Sequence, residues 1–179
     1  MTTITAIPVG AYSVDPVHSN VGFEVKHMGI ATVRGSFKSF EGSIEVKDDA
    51  LALQGSVEVT SVDTGNGDRD GHLQSPDFFD SAANPKITFS ASGEIHGEDV
   101  TLNGDITIKG VTKPITLTGK VSAAGDADPW GNQRVGFEVE TTIDRTDFGM
   151  GFNQLLPHGT LLVGHHVKLV VSVSAVKAA

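Results

Sequence analysis

From Ser19 onward the chain alternates apolar and polar residues, segment after segment. Val21, Phe23, Val25 and His27 share one face of a strand; Asn20, Gly22, Glu24 and Lys26 share the other. After a turn at Met28-Gly29, Val33, Gly35, Phe37 and Ser39 alternate with Arg34, Ser36 and Lys38. Ile44 and Val46 continue the pattern to a polar turn at Lys47-Asp48-Asp49. Val57 and Val59 follow. Ile87, Phe89, Ala91 and Ile95 then run to a hairpin signal at His96-Gly97-Glu98-Asp99. Val100, Leu102, Gly104, Ile106 and Ile108 form the cleanest period-two run. Ile115, Leu117, Gly119 and Val121, then Val135, Phe137, Val139, Thr141 and Ile143, and finally Val167, Leu169, Val171 and Val173, complete it. The pattern predicts eight to ten β segments joined mostly by tight turns.

Two stretches break the alternation. Ser61 to Phe89 packs Gly65, Gly67, Gly71, Pro76 and Pro85 around Asp68-Arg69-Asp70 and His72-Leu73. Long interruptions of a regular β pattern are where binding residues concentrate. Asp68 to Gln74 is the better helix candidate, with a shorter turn near Asn153 to Leu156. Phe78-Phe79 are expected to plug one end of a barrel, to wall a cavity, or both. Arg145 to Thr160 is the second stretch. Its Phe148, Met150, Phe152, Leu155 and Leu156, hinged by glycines, read as a packed lid or as an exposed contact patch. Gly125 to Gln133, with the only Trp, Trp130, is a third loop. Strands of about ten residues favour an all-β, antiparallel barrel over a sandwich, because closure removes exposed edges.

Gly35, Ala91, Gly104 and Gly119 fall on the apolar face. They either leave room for an apolar tunnel or mark bulges and close strand approach; periodicity does not choose between these. Twenty-one glycines and seven prolines suit many tight turns. The net charge of −9 argues against a nucleic-acid partner and offers no polybasic anchor for anionic lipid. No segment is apolar for long enough to predict membrane insertion as a helix. There is no cysteine, so no disulfide, thiolate metal site or cysteine nucleophile. The first residues carry no positive region before an apolar run, and a cytoplasmic location is the expectation unless a leader has been removed.

Asp68, Arg69, Asp70 and His72 invite an acid/base reading. The alternative is that the carboxylates cap a short helix and pair with Arg69. There is no GxSxG, P-loop or HExxH pattern, so no catalytic residue and no cofactor is assigned. His165-His166 point to opposite faces of a strand and make a poor metal pair, so no metal site is assigned either. His27, on the apolar face, reads as a hydrogen-bonded core histidine.

The segments VDPVHSNVGFEVKHMG, VRGSFKSFEGSI, SVDTGNGDRDGHLQSPDFFD, PKITF, GDITIKGVTKPITL and WGNQRVGFEVETTIDRTDFGM, in that order, resemble the YceI-like family. The resemblance spans about Tyr12 to Val173. It implies an elongated, eight-stranded antiparallel barrel of lipocalin-like shape, with the short helix in the Ser61–Phe89 connection. It implies a single domain over residues 12–176 after an N-terminal tail, 1–11. It further implies an apolar cavity for a polyisoprenoid lipid such as a polyprenyl phosphate or an isoprenoid quinone, and a possible homodimer. Phe23, Val25, Phe37, Phe79, Phe89, Ile106, Leu117, Phe137, Phe148, Leu155 and Leu169 are expected to line that cavity. Arg69, Asp70 and His72 are expected near the headgroup. Gln74 departs from the family, which often has a basic residue there, and this weakens the case for a diphosphate. Phe at Gly104 or Gly119 is expected to block the tail while preserving the fold. The alternatives are an enzyme acting on an isoprenoid through His72 and Asp70, and a filled barrel serving as an interaction module.

Overall fold

The computed structural model describes residues 7–123 and 126–178. Most of the expected N-terminal tail and Gly125, at the start of the third loop, lie outside the described residues.

The alternating segments form the expected antiparallel barrel. Strand β1 (Gly10–Val14) and strand β2 (Asn20–His27) are two halves of one barrel stave. The break is a 3-10 turn, Pro16–His18, where Asp15 accepts from the Val17 N–H and Pro16 has no N–H to give. Strands β3 (Ala31–Phe37) and β4 (Phe40–Lys47) form a second broken stave. The others are β5 (Ala50–Glu58), β7 (Lys86–His96), β8 (Asp99–Ile108), β9 (Val111–Ala123), β10 (Arg134–Asp144) and β11 (Val163–Lys177). Pairing of β11 with both β2 and β1 closes the ring of eight staves. A two-residue strand, β6 (Val62–Asp63), pairs only with the end of β3. The one α-helix among the described residues, α1 (Gly67–Gln74), is capped by the Asn66 side chain on the Arg69 N–H. The turn expected at Asn153 to Leu156 is not helical: the Asn153 side chain is spent on the backbone N–H and C=O of Val163.

One half of the barrel is solid. Tyr12, Ile44, Val46, Leu51, Leu102, Val135, Val139 and Ala175 are all but inaccessible. At the other end the staves part in two places. Among the described residues, strand β3 finds ladder partners only in β2 and, at Ser36 and Phe37, in β6. Among the described residues, strands β9 and β10 pair from Thr118–Ala123 to Val135–Glu140, leaving the start of β9 and the end of β10 apart. The two irregular stretches return through these gaps. Lys109, on the β8–β9 turn, donates from Nζ to the carbonyls of Pro76 and Gly149 and so ties the two stretches together.

Candidate functional site

A cavity of about 300 Å³ lies beneath those stretches, between the parted staves. Strands β2 and β3 supply Phe23, Val25, His27, Val33 and Phe37. Ile87 and Ile108 come from the facing staves, and Ile143, Val163, Val167 and Leu169 from β10 and β11. The Ser61–Phe89 connection contributes Leu73, Phe78 and Phe79, and the second stretch Met150 and Phe152. The lining is mostly apolar; its polar members are the buried Arg145, the half-buried His27 and Thr64, and Lys26, Arg69 and His72 at the exposed edge. Val25, Val33, Ile143, Val167 and Leu169 sit on the core face of their strands yet remain only half-buried. Their apolar surface faces empty volume rather than neighbouring side chains.

The roof is built from aromatic rings and one buried cation. Phe37 meets Phe23 and Phe79, with ring centroids 5.7 and 5.8 Å apart. His72 stands edge-on to Phe78 and Phe152, at 5.0 and 4.8 Å. Its Nε2 lies 2.9 Å from Asp77 Oδ2. Arg145 is 3 % exposed and lies over the Phe78 ring at 5.8 Å. Its Nε donates to Gly164 O at 2.8 Å, Nη2 to Val163 O at 3.2 Å, and Nη1 to Met150 O. It thus pins the second stretch to the start of β11. Burial pulls its pKa below the usual guanidinium value, with the nearby Asp144 acting the other way.

The expected lining residues divide by depth. Phe23, Val25, Phe37, Phe79 and Leu169 border the cavity. Phe89, Ile106, Leu117, Phe137, Phe148 and Leu155 do not. Ile106, Leu117 and Phe137 point inward but are sealed in the packed part of the barrel, and Phe148 is buried outside the cavity. Phe89 packs on the notch at Gly55, where an added Cβ would lie 3.1 Å from its ring. Leu155 is 67 % exposed, in a bridge with Leu161 outside the barrel.

Of the expected headgroup residues, Arg69 and His72 border the cavity and Asp70 does not. Asp70 Oδ1 accepts from the Thr64 N–H and hydroxyl at 2.9 and 2.6 Å. Arg69 donates to Thr64 as well, from Nε to Oγ1 and from Nη2 to the carbonyl, both at 2.7 Å. The carboxylates therefore do not pair with Arg69 as expected; Asn66, not Asp68 or Asp70, caps the helix. His27 borders the cavity half-buried rather than sitting in the closed core.

The inward glycines do not hollow the barrel. A Cβ on Gly104 would lie 1.9 Å from Ser90 O, and one on Gly119 1.7 Å from Glu138 O. Both glycines mark close approach of neighbouring backbone, so Phe at either would break the barrel rather than plug a tunnel. At Gly35 the space is taken by the Phe23 ring, whose Cζ lies 2.3 Å from where a Cβ would be. The lining residues that sequence reasoning missed are Lys26, His27, Val33, Thr64, Leu73, Ile87, Ile108, Ile143, Arg145, Leu162, Val163 and Val167, while Met150 and Phe152 were expected only as part of a lid or contact patch. Most lie at strand ends adjoining the two irregular stretches, and that adjacency was the available signal.

A model of the YceI-like domain matches residues 12–175. The chain is 39 % identical over 164 residues to protein YceI of Escherichia coli O17:K52:H18, covering 89 % of this chain and 82 % of that protein. Its fold matches the crystal structure of Burkholderia cenocepacia BcnA with a TM-score of 0.77 at 23 % identity, over 90 % of this chain and 98 % of that one. It also matches a polyisoprenoid binding domain from Saccharophagus degradans with a TM-score of 0.70 at 15 % identity, over 96 % and 100 % of the two chains. With the family model spanning nearly the whole barrel and a close relative aligned along its length, this chain belongs to the YceI-like family.

Proposed function

We propose that this protein binds a polyisoprenoid lipid, holding the tail in the cavity and leaving the head at the exposed edge. The observation that carries this is the set of core-facing side chains left half-buried: Val25, Val33, Ile143, Val167 and Leu169. A chain that packs Leu102 and Val46 to zero exposure at one end has left apolar surface unsatisfied at the other. A branched hydrocarbon tail restores that burial at about 0.8 kcal/mol per CH₂. The polyisoprenoid-binding domain of the same fold in Saccharophagus degradans supports the choice of tail. About 300 Å³ is at the small end for ligand sites, so the cavity takes the leading segment of a long tail. Lys26 and Arg69 put positive charge at the exit and His72 adds a ring that can hydrogen-bond, which suits a polyprenyl phosphate or the carbonyls of an isoprenoid quinone.

Binding is proposed without catalysis. His72 is engaged with Asp77, and Asp70 is engaged with Thr64, so the pair that would have to act together is not assembled. Organic extraction of purified protein followed by mass spectrometry is the direct test, with uptake of added geranylgeraniol as its second arm. Recovery of an isoprenoid in proportion to protein is the expected result. An empty extract together with no uptake would sink the proposal and favour the filled barrel. Turnover of the bound isoprenoid that vanishes in His72→Ala would favour the enzyme.

A further inference from the structure

The edge of the cavity formed by the β2–β3 turn and the 153–163 segment combines exposed apolar side chains with segments that carry no acid. The chain holds 22 acidic residues, yet none falls between Val25 and Val33 or between Phe148 and Lys168. These two acid-free segments are fastened to each other. The Met28 N–H donates to Leu162 O at 2.9 Å and Val163 pairs with His27; within the second segment the Leu162 N–H donates to Gln154 O at 2.9 Å. Between them they expose Ile30 (83 %), Leu155 (67 %) and Met28 (39 %), half of the large hydrophobic side chains exposed among the described residues. Lys26, His27, Leu162 and Val163 of the same segments border the cavity.

We infer that this rim is a docking surface for a lipid bilayer with anionic headgroups, which delivers the tail to the cavity or receives it. The inference rests on the lipid-binding reading above and adds the surface through which the lipid passes. Three side chains large enough to enter the acyl boundary stand on two segments that carry Lys26, His27 and His158 and no acid of their own; across the β10–β11 ladder Asp144 pairs with His166, and Lys168 is taken up by Glu140. The nearby acids are engaged: Glu24 with Arg34, Glu140 with Lys168, and Asp144 with the Thr146 N–H and hydroxyl; Asp147 lies on the 3-10 turn that precedes the rim. A net charge of −9 otherwise repels such a surface, so the orientation of approach is set by an edge whose segments carry no acids and expose apolar side chains beside the cavity. Apolar side chains at the interface then hold the mouth against the bilayer. Continuity with the cavity favours a bilayer over a protein partner, because the same edge offers both the contact and the entry.

The test uses the full chain and vesicles of phosphatidylcholine mixed with phosphatidylglycerol, read by flotation, alongside uptake of geranylgeraniol from detergent micelles. The unmodified protein should float with the vesicles. Ile30→Asp/Leu155→Asp should lose vesicle affinity by about tenfold or more, while taking up geranylgeraniol from micelles as before. Val17→Asp, an exposed position away from this rim, should float unchanged. Failure of the unmodified protein to float, or equal flotation of the double variant, overturns the docking surface. So does a dimer that the double variant dissociates without any vesicle binding, since the rim would then be a self-association face. Uptake is scored separately: flotation without uptake by any variant removes the lipid-binding reading and leaves the surface contact standing on its own data.

Discussion

Val167→Phe separates a true cavity from slack in the core. Val167 lies on β11 between Val25 and Ile143, on the core face, half-buried because the cavity is in front of it. A phenyl ring there has empty volume to enter, so folding should not suffer. Its extra carbons gain burial, at roughly 25 cal/mol per Å² removed from water. The ring would occupy space for about one five-carbon isoprene unit. At about 0.8 kcal/mol per buried carbon, its exclusion costs the ligand about 4 kcal/mol, close to a thousandfold in Kd. The contrast is Gly104→Ala, whose single added carbon would lie 1.9 Å from Ser90 O and 2.5 Å from Ala91 Cα. Backbone must move to relieve that contact, which places the loss at about 3 kcal/mol or more and the melting temperature some 6–12 °C lower for a chain of this size. Titration with geranylgeraniol and thermal melting decide the matter. Full ligand affinity in a folded Val167→Phe protein would refute the cavity, as would a melting temperature that drops as far as that of Gly104→Ala.

Arg145→Met should remove three hydrogen bonds, and since Val163 O keeps the Asn153 amide, two carbonyls, those of Met150 and Gly164, lose this partner. Stability should fall by about 2 kcal/mol or more, at about 1–3 kcal/mol per acceptor left unpaired; urea unfolding reads it, and unchanged stability would contradict the roof described above. Lys109→Ala unties the two stretches above the cavity, so a loaded protein should release lipid faster to acceptor vesicles with little change in melting temperature. At the other end, Asp128 accepts from the Trp130 and Asn132 N–H groups, and Arg134 bridges Asp128 to Asp15. Backbone donation from Asn132 and the Arg134 side chain hold the Asp128 carboxyl down to about 2, and His18 and Arg134 do the same for Asp15. Both folded values lie below the ordinary 3.8, so this stabilisation is present above pH 4 and is lost as pH falls toward 2. Asp128→Asn should therefore melt well below the unmodified protein at pH 7 and converge with it near pH 2; a gap that stays constant with pH would count against the linkage.

Strand parity was fully readable, because a side chain's face depends only on its own position in a period of two. Ile106, Leu117 and Phe137 do point inward, as their alternation requires. Depth along the barrel was not readable. Whether an inward side chain meets a packed neighbour or empty space depends on where the long connections return, and that is a property of the closed ring. Phe137 in the solid half and Leu169 at the cavity are therefore indistinguishable in their own strands. The glycines were ambiguous for a related reason. Gly104 looks like missing volume until pairing shows Ser90 O pressed against it, and Gly35 looks vacant until Phe23 is found opposite it. The helix was legible from its own residues, whereas Asn153 to Leu156 was misjudged because Asn153 bonds a strand ten residues on.

The free side of β3 has a consequence outside ligand binding. From Ala31 to Gly35 its ladder partners are in β2 alone, so in this barrel one strand keeps an open margin over part of its length. Such a margin invites a foreign strand to join and seed aggregation. The outward row here is Thr32, Arg34 and Ser36, with Lys26 and Glu24 of β2 bonded across to Thr32 and Arg34. Charge along the hairpin discourages an incoming strand while the interior face stays apolar. Neutralising Arg34 and Glu24 together would leave the cavity lining intact and remove that protection. The hairpin's polar face is thus a safeguard for solubility, made necessary by the same parting of staves that opens the interior.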